Sequence, residues 1–273
     1  MPPEWGSHRP ADPPITIFPV PPDISVVVPL RDEEPNVVAL HTELSAVMER
    51  LGRTYELIFV EDGSRDATFA RLAEVHARDP HHVRVIRFSA NFGQTAAFAA
   101  GFAHAAGRLI VTSDGDLQND PADIPRMIAL AGEHDIVCGW RKDRQDAYLT
   151  RHLPSVAANW LISLVTGIRL HDNGCSLKVF QARVVKPLRL LPGMHRYLPA
   201  IAARIGPRVV EVVVNHRPRR FGRSKYGLSR TFGVLRDIVR LRRRIRQAAD
   251  PGTPPVRIYD VAATLELAPA AVK

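Results

Sequence analysis

The sequence is poor in cysteine and has no long run of apolar residues. Among its 273 residues are two cysteines, Cys138 and Cys175, which stand far apart and outside any C-x-x-C spacing. We therefore expect a reducing compartment, with neither a disulfide framework nor a thiolate metal site. The N-terminus lacks the apolar segment of a signal peptide. No stretch approaches the roughly 18 to 20 apolar residues of a spanning helix, so the chain is not expected to cross a membrane.

Two glycine-rich nucleotide-binding signatures are also missing. The first apolar run ends in PLRDEE and lacks the glycines of G-x-G-x-x-G, which bring the backbone close to a pyrophosphate in dinucleotide-binding proteins. The sequence contains no G-x-x-x-x-G-K-[ST] either. These absences argue against a dinucleotide-binding Rossmann site and against a P-loop nucleotide hydrolase.

Positive charge is in excess, with a net charge of +9. The excess lies in two C-terminal clusters, which are Arg217, Arg219, Arg220, Arg223 and Lys225, and Arg236, Arg240, Arg242, Arg243, Arg244 and Arg246. An anionic membrane surface or a membrane partner protein is the expected partner of this end. Nucleic acid is the alternative, but only Phe221 and Tyr226 lie among these basic residues, so no nucleic acid is expected.

The middle of the chain alternates strand and helix patterns. Residues 1–22 are rich in proline and are predicted to be a disordered leader. Predicted strands cover Ile24–Pro29, Glu56–Asp62, Val83–Phe88, Arg108–Asp114 and Asp135–Trp140, with predicted helices over 37–51, 67–79, 93–106 and from 121. This alternation predicts an α/β fold with a mainly parallel sheet and helices on both faces. Ligands of such sheets bind beyond the carboxyl ends of the strands.

The alternation breaks after Trp140. A helix is predicted near 154–166, and strands are predicted over 176–180 and 208–216. Residues 23–227 are predicted to form the main α/β domain, 228–249 a basic amphipathic helix and 250–273 a linker and tail. The amphipathic helix has a broad apolar face flanked by arginines, which fits either an interfacial helix on anionic lipid or a core-packed helix with a solvated basic end.

The segment DGDLQNDP is the strongest candidate for chemistry. Asp114 and Asp116 follow the fourth predicted strand, and Gly115 between them permits the bend that brings both carboxylates onto one divalent cation. The Gln118 amide oxygen could join them, and Asp120 is predicted to cap the next helix. An ordinary Asp-Gly turn is the alternative. An EF-hand is excluded, because its glycine and glutamate positions are Asn119 and Pro125.

Polar residues also follow the other strands of the predicted sheet. Arg31 to Glu33 follow the first strand, Glu61 to Ser64 end the second, and Arg141 follows the fifth. Acidic groups suit ribose hydroxyls and a base edge, a carboxylate–metal pair suits a diphosphate, and an arginine suits phosphate charge. Together these strand ends predict a site for a nucleotide diphosphate.

Six segments resemble, in order, the motifs of family 2 glycosyltransferases. They are VVVPLRDEEPNV, VEDGSRD, SANFGQTAAFAAG, DGDLQNDP, DNGCSLKVF and HRPRRFGRSKYG. Within that family the chain is most similar to the dolichyl-phosphate mannosyltransferase and bacterial polyprenyl-phosphate glycosyltransferase group, over roughly residues 24–237. The resemblance implies a GT-A fold, a Rossmann-like sheet with a nucleotide sugar over the strand ends.

The resemblance further implies roles for particular residues. Base and ribose would be held by Pro29, Arg31, Glu33, Val60 and Asp62. Asp114, Gly115, Asp116 and Gln118 would hold diphosphate and a Mg²⁺ or Mn²⁺ ion, with Asp114, Asp116 and Gln118 as its ligands. Phosphate would be contacted by Arg141, Arg219 and Lys225. The sequence departs from the family at Arg31, where an aromatic residue is usual, and in lacking the paired C-terminal transmembrane helices of many bacterial relatives.

The expected reaction is an inverting transfer of a hexose from GDP-mannose or a UDP-sugar to a polyprenyl or dolichyl phosphate. Asp116 and Arg141 are the expected catalytic residues, together with Asp172 if a base or an acceptor-orienting carboxylate is used. For Asp172 the alternative is a residue that starts a turn before glycine. The expected location is cytoplasmic, peripheral at the inner face of the cell membrane. The alternative function is a soluble family 2 enzyme that glycosylates a hydroxyl group, for which Asp172 would be essential as the base.

Overall fold

The computed structural model describes residues 21–142, 163, 168–202, 206–219 and 258–268. Its strands are β1 (Ile24–Leu30), β2 (Tyr55–Glu61), β3 (Val83–Phe88), β4 (Leu109–Thr112), β5 (Ile136–Trp140), β6 (Lys178–Gln181), β7 (Val209–Val213) and β8 (Val261–Leu265). Its α-helices are α1 (Val37–Leu51), α2 (Thr68–Arg78), α3 (Gln94–His104), α4 (Ile124–Leu130), α5 (Ala182–Val185) and α6 (Leu198–Ala202). Short 3-10 turns cover Glu34–Asn36, Pro121–Asp123 and Met194–Tyr197.

The strands form one sheet in the order β7-β5-β6-β4-β1-β2-β3-β8. β1 lies between β2 and β4 and is parallel to both, and β3 is parallel to β2. β6 separates β4 from β5 and is antiparallel to both, while β8 is antiparallel to β3. The carboxyl ends of β1, β2, β4 and β5 therefore lie side by side at one end of the strands, which is the carboxyl edge of the sheet. The predicted α/β class with a mainly parallel sheet is confirmed.

The sheet is buried on both faces, which explains its nearly continuous apolar strands. Along β1, Ile24, Val26 and Val28 pack against α1, α2 and α4, whereas Val27 packs on the opposite face against α3. Six of the seven residues of β1 are fully buried. Gly101 lets α3 lie close to β1, because a Cβ there would be 2.2 Å from a Val27 methyl carbon. Side chains on the two faces of β1, together with close helix packing, thus build the two apolar layers that support the strand ends.

Helix ends agree with the local sequence. Asp120 accepts a hydrogen bond from the Ala122 backbone N–H at 3.0 Å, which confirms its predicted capping role. The helix of this region consists of the 3-10 turn Pro121–Asp123 followed by α4. At the C-terminal end of α1, Gly52 has a φ of 66°, the left-handed conformation that glycine adopts without strain.

The C-terminal strand β8 pairs with β3, and side-chain and backbone contacts reinforce this pairing. Tyr259 stacks on Phe88 with ring centroids 4.9 Å apart. The Asp260 carbonyl accepts a hydrogen bond from the Ser89 N–H. Glu266 lies 2.9 Å from Nε of Arg84, whose side chain is 4% exposed and also reaches buried Glu56. The tail therefore contributes both apolar contact and a counter-charge to the sheet.

Replacing Glu266 with alanine should destabilise the protein by about 1–3 kcal/mol, because a nearly buried guanidinium loses one of its two counter-charges. Urea unfolding would measure the change. The matched control is Glu74→Ala, since Glu74 pairs with Arg71 across side chains that are 45–46% exposed. Exposed pairs contribute about 0–1 kcal/mol, so equal losses in the two variants would contradict a special role for Glu266.

Some predicted elements have other bounds in the structure, and others lie outside its described residues. The strand predicted over 176–180 is β6 at Lys178–Gln181, and the one predicted over 208–216 is the shorter β7. Residues 1–20 of the predicted leader 1–22 and the amphipathic helix 228–249 lie outside the described residues. Of the helix predicted near 154–166, Ser163 is described, and it is helical. No helix in the described part of the chain is long and apolar enough to cross a membrane.

Candidate active site

The loop after β4 carries the acidic pair to the carboxyl edge of the sheet. A Cβ on Gly115 would lie 2.5 Å from Leu30 Cδ2 and 3.2 Å from the Pro29 carbonyl oxygen. Glycine is therefore required for this loop to pack on the end of β1. Leu117, with a φ of 62°, completes the turn and is buried. The turn therefore places Asp114 and Asp116 next to the end of β1.

Asp116 is the most strongly perturbed carboxylate of this edge. Its Oδ2 accepts a hydrogen bond from Arg219 Nη2 at 2.5 Å, and its Oδ1 accepts one from the Gln118 N–H at 3.1 Å. Burial and the neighbouring charge of Asp114 raise the pKa of Asp116 to about 6, although Arg219 opposes this shift. The two carboxylates therefore lie close enough to repel each other, and the Arg219 guanidinium partly compensates their charge.

The other predicted ligands converge on the same place. Asp114 Oδ1 accepts a hydrogen bond from Gln94 Nε2 at 2.7 Å. Gln118 Oε1 accepts one from Arg219 Nη2 at 3.3 Å. Arg219 Nη1 also lies 4.0 Å from Glu33 Oε1, which joins the loop after β1 to this cluster.

These oxygens fit a hard divalent cation. Carboxylates that repel each other and an amide oxygen are the donor types that Mg²⁺ and Mn²⁺ prefer, and Asp116 already binds a positive group. Among the described residues no three His, Cys, Asp or Glu side chains form a ready-made metal cluster. An ion here would therefore complete its coordination with phosphate oxygens and water, as Mg²⁺ commonly does.

On the predicted nucleoside side, Asp62 organises a neighbouring loop. Its carboxylate accepts hydrogen bonds from Asn91 Nδ2 at 2.6 Å, from the Phe92 N–H at 2.7 Å and from the Gly93 N–H at 3.0 Å. Burial raises the pKa of Asp62, and these backbone donors and Arg31 oppose the rise. The carboxylate thus shapes the loop 91–93 at the end of β2.

The remaining residues predicted for base and ribose are unequally exposed. Arg31 has a side chain that is 38% exposed and lies 3.7 Å from Asp32. Pro29 is partly buried, and Val60 opposite it in the sheet register is fully buried. Glu33 borders the cluster around Asp116 through Arg219, whereas Arg31 lies near Asp32 and Asp62. Val60 contributes its side chain to the core.

Replacing Gly63 with alanine should weaken nucleotide binding by about tenfold, equivalent to about 1.4 kcal/mol. Gly63 has a φ of 63°, and a Cβ there would lie 2.5 Å from Ala90 C and Asn91 N. The loop that Asp62 holds must then shift. Calorimetric titration with nucleotide diphosphates would measure the effect, with Gly52→Ala as control because nothing lies within 4 Å of its Cβ position. Equal affinities in both variants would separate this loop from nucleotide binding.

Arg141 and Asp172 form a buried bidentate pair behind the acidic cluster. Arg141 Nε lies 2.7 Å from Asp172 Oδ2, and Arg141 Nη2 lies 3.0 Å from Asp172 Oδ1. Burial would lower the pKa of Arg141, but the Asp172 carboxylate reverses this and holds the pKa above its usual value. Asp172 Oδ1 also accepts the Gly174 N–H at 3.1 Å. This geometry favours a carboxylate that orients Arg141 over one that accepts a proton.

Several residues that support this edge had no role in the sequence predictions. Gln94 contacts Asp114, and Glu211 accepts the backbone N–H groups of His171 and Asp172 at 2.8 and 3.0 Å. Lys178, 2% exposed, donates to the Cys175 and Asn173 carbonyls and so fixes the loop that carries Asp172. Gln94 and Lys178 lie within the quoted motifs, which was the available signal. Lys225 lies outside the described residues.

The sequence is similar to a known protein family and to a curated protein. The model of Glycosyl transferase family 2 matches residues 25–186. A curated relative, "Dodecaprenyl-phosphate galacturonate synthase" of Rhizobium johnstonii, is 44% identical over 234 residues, which are 84% of this chain and 69% of that protein.

Solved structures with the same fold include two sugar-transfer enzymes. Glucosyl-3-phosphoglycerate synthase of Mycobacterium tuberculosis, in complex with Mn²⁺, uridine diphosphate and glucosyl-3-phosphoglycerate, matches with a TM-score of 0.62 and 17% identity over 90% of each chain. Mannosyl-3-phosphoglycerate synthase of Rubrobacter xylanophilus matches with a TM-score of 0.60 and 16% identity, over 85% of this chain and 79% of that one. At these identities the likeness concerns the fold, and the predicted GT-A type is confirmed.

Proposed function

The chain belongs to glycosyl transferase family 2, and from this premise we propose that it transfers a sugar from a nucleotide-diphosphate sugar to the phosphate of a polyprenyl lipid. One observation carries the acceptor: a relative that is 44% identical over most of this chain is named for a dodecaprenyl-phosphate product. The cluster at the carboxyl edge of the sheet supports the donor, because its charges suit a diphosphate leaving group.

The donor is held, in this proposal, between the ends of β1, β2 and β4. Arg31 and Glu33 border the nucleoside side, and the loop organised by Asp62 closes it. Arg219 and Arg141 stand on the phosphate side, where fixed positive charge requires no reorganisation during the reaction. Asp172 engages two nitrogen atoms of Arg141. A guanidinium has five N–H donors, so Arg141 can contact phosphate while it stays bound to Asp172.

Asp114, Asp116 and Gln118 would hold the divalent ion. When bound, Mg²⁺ or Mn²⁺ supplies Lewis-acid stabilisation of the negative charge on the departing nucleotide diphosphate. Its ligands must be ionised, and the pKa of about 6 at Asp116 is compatible with an ionised carboxylate at neutral pH. The Arg219 guanidinium, which contacts Asp116 and Gln118, adds positive charge beside the ion.

The reaction is a direct displacement at the anomeric carbon. An oxygen of the acceptor phosphate attacks C1 of the sugar, and the bond from C1 to the β-phosphate oxygen breaks with its electrons leaving on the nucleotide diphosphate. Attack from the opposite face inverts the anomeric centre. A phosphate monoester has a second pKa of about 6, so the acceptor is already ionised at neutral pH. No strong general base is needed, which agrees with Asp172 as an orienting group.

A donor panel tests this proposal. The purified chain is incubated with UDP- and GDP-sugars, a galacturonate donor among them, and release of nucleotide diphosphate is measured with and without dodecaprenyl phosphate. We expect one donor to release nucleotide at least tenfold faster when the lipid phosphate is present. A rate of nucleotide release that is unchanged by the lipid but increased by a hydroxyl acceptor would contradict this proposal. It would favour the alternative, a family 2 enzyme that glycosylates hydroxyl groups.

Peripheral membrane association, at the inner face of the cell membrane, belongs to the same proposal. It rests on the acceptor lipid and on the arginines at 236–246, which lie outside the described residues. Each basic residue near an anionic surface contributes about 1 kcal/mol.

Replacing Arg242, Arg243 and Arg244 together with glutamine should lower partitioning onto anionic vesicles by at least about tenfold, since roughly 3 kcal/mol of attraction is removed. Co-sedimentation with phosphatidylserine-containing vesicles at low and high salt would measure the change. Phosphatidylcholine vesicles are the control. Wild-type binding that is the same on both lipids and at both salt concentrations would rule out the electrostatic contact.

A further inference from the structure

The first turn of α3 touches both halves of the candidate site through three consecutive residues. The Gly93 N–H donates to Asp62 at 3.0 Å on the nucleoside side. Gln94 Nε2 donates to Asp114 Oδ1 at 2.7 Å on the metal side. Thr95 Oγ1 lies 2.8 Å from Nδ1 of His195, in the 3-10 turn that precedes α6. This turn therefore links the end of β2, the loop after β4 and the segment around 193–197.

The Gln94 contact is directed at one oxygen of one carboxylate. Gln94 Nε2 is an amide donor, and Asp114 Oδ1 is the acceptor it reaches from 20 residues away in the sequence. A carboxylate next to a second carboxylate is repelled by it and can rotate away. A hydrogen bond to one oxygen fixes the plane of the group and leaves the other oxygen directed elsewhere. Outer partners of this kind orient metal ligands in many metalloproteins.

The helix turn that carries Gln94 is itself held. Thr95 is 4% exposed, and its Oγ1 accepts a hydrogen bond from the Gly193 N–H at 2.9 Å in addition to its contact with His195. The His195 ring also lies against Phe98 of α3, with ring centroids 6.3 Å apart. Gln94 thus projects from a backbone that is fixed on both sides.

We propose that Gln94 is a positioning residue for Asp114, and that the contact of Thr95 with the 193–195 segment sets the placement of Gln94. The inference rests on the proposed function, in which Asp114 is a ligand of the divalent ion. Gln94 does not react. It holds the carboxylate in the orientation that binds the cation, and through Gly93 and Asp62 the same turn fixes the distance from the cation to the nucleoside.

The test is a titration of the protein with Mn²⁺ alone, in which the electron paramagnetic resonance signal of the free ion measures binding. Gln94→Leu and Gln94→Met both remove the donor while keeping a similar volume, so one remains if the other fails to fold. We expect the Kd for Mn²⁺ to rise about 10- to 100-fold, the range for loss of a partner of a metal ligand. Gln181→Leu is the matched control, because Gln181 Nε2 donates to the Ala131 carbonyl at 2.6 Å and Gln181 pairs with Leu109 at the opposite end of β4.

A second pair of variants tests the anchor. Thr95→Val removes the hydroxyl and should weaken Mn²⁺ binding in the same direction, whereas Thr95→Ser keeps the hydroxyl and should restore it. The outcomes are distinguishable. If the wild-type chain binds no Mn²⁺, the proposed metal site fails and the inference fails with it. If the wild type binds and folded Gln94→Leu or Gln94→Met binds equally well, only the role of Gln94 is overturned.

Discussion

The Asp116→Asn protein should lose at least about 100-fold in kcat, the scale of losing one group that stabilises charge in a transition state. Asp116 is 8% exposed and sits between Asp114, Gln118 and Arg219. Asparagine keeps the shape of the side chain but provides no charge for a divalent ion. Steady-state transfer assays, with the metal concentration varied, would measure the loss.

The same variant should be at least as stable as the wild type above pH 6. The folded pKa of Asp116 is raised from 3.8 to about 6, so folding favours the protonated carboxyl. That stabilising contribution is complete below pH 3.8 and is lost as pH rises to about 6, where the ionised group opposes folding. Asparagine does not ionise, so the variant shows no such loss of stability as the pH rises. Melting temperatures between pH 3.5 and 7, measured without added metal, should therefore fall more with rising pH in the wild type than in the variant.

Asp120→Asn is the matched control for Asp116→Asn. Asp120 lies on the same loop, but it caps the turn at Ala122 and pairs with Arg217. Hydrogen bonds from Asn215 and Ala122 and the charge of Arg217 lower its pKa despite burial, so its contribution to stability is present above pH 3.8 and is lost as pH falls. Asparagine also caps helices, so this variant should lose only the charge pair with Arg217, about 0–1 kcal/mol of stability, and keep kcat within a few fold. Near-normal kcat in Asp116→Asn would contradict the assignment of the acidic pair.

The second large effect concerns the buried pair of Arg141 and Asp172. Removing one partner leaves the other as an uncompensated buried charge, which costs about 3–5 kcal/mol. Both Arg141→Leu and Asp172→Leu should therefore unfold at much lower urea concentrations. Their low activity alone would say nothing about chemistry.

The double variant separates folding from function. Replacing a buried ion pair by apolar residues of similar volume is often neutral for stability, so Arg141→Leu with Asp172→Leu should recover most of the loss. Its kcat should remain at least about 100-fold below wild type, because the charge near the phosphates is gone. A folded double variant with wild-type kcat would show that the pair is structural only.

The sequence was sufficient for the fold class because the strands differ sharply in composition from their surroundings. ISVVVP and ELIFVED bury both faces, and such runs of β-branched residues are typical of a covered parallel sheet. It did not predict that β6 runs antiparallel between β4 and β5. Strand direction and order depend on contacts with residues far along the chain, and local periodicity carries no record of them.

The same limit explains what the sequence revealed of the site. The acidic pair could be found because both members lie within three consecutive residues. Arg219 reaches Asp116 from 103 residues away, and Arg141 pairs with Asp172 across 31 residues. The pairing of Asp62 with the loop 91–93 and the addition of β8 beside β3 are likewise tertiary. Residue types predicted the chemistry, whereas these partners required the structure.

The most direct test of the central claim is the mass of the lipid product. The purified chain is incubated with Mg²⁺ or Mn²⁺, the donor selected from the panel, and either dodecaprenyl phosphate or dodecaprenol, which lacks the phosphate. Mass spectrometry of the extracted lipid should show dodecaprenyl phosphate increased by one sugar residue, with no product from dodecaprenol and none in excess EDTA. Glycosylation of dodecaprenol at an equal rate, or nucleotide release with no sugar on the lipid phosphate, would contradict the account.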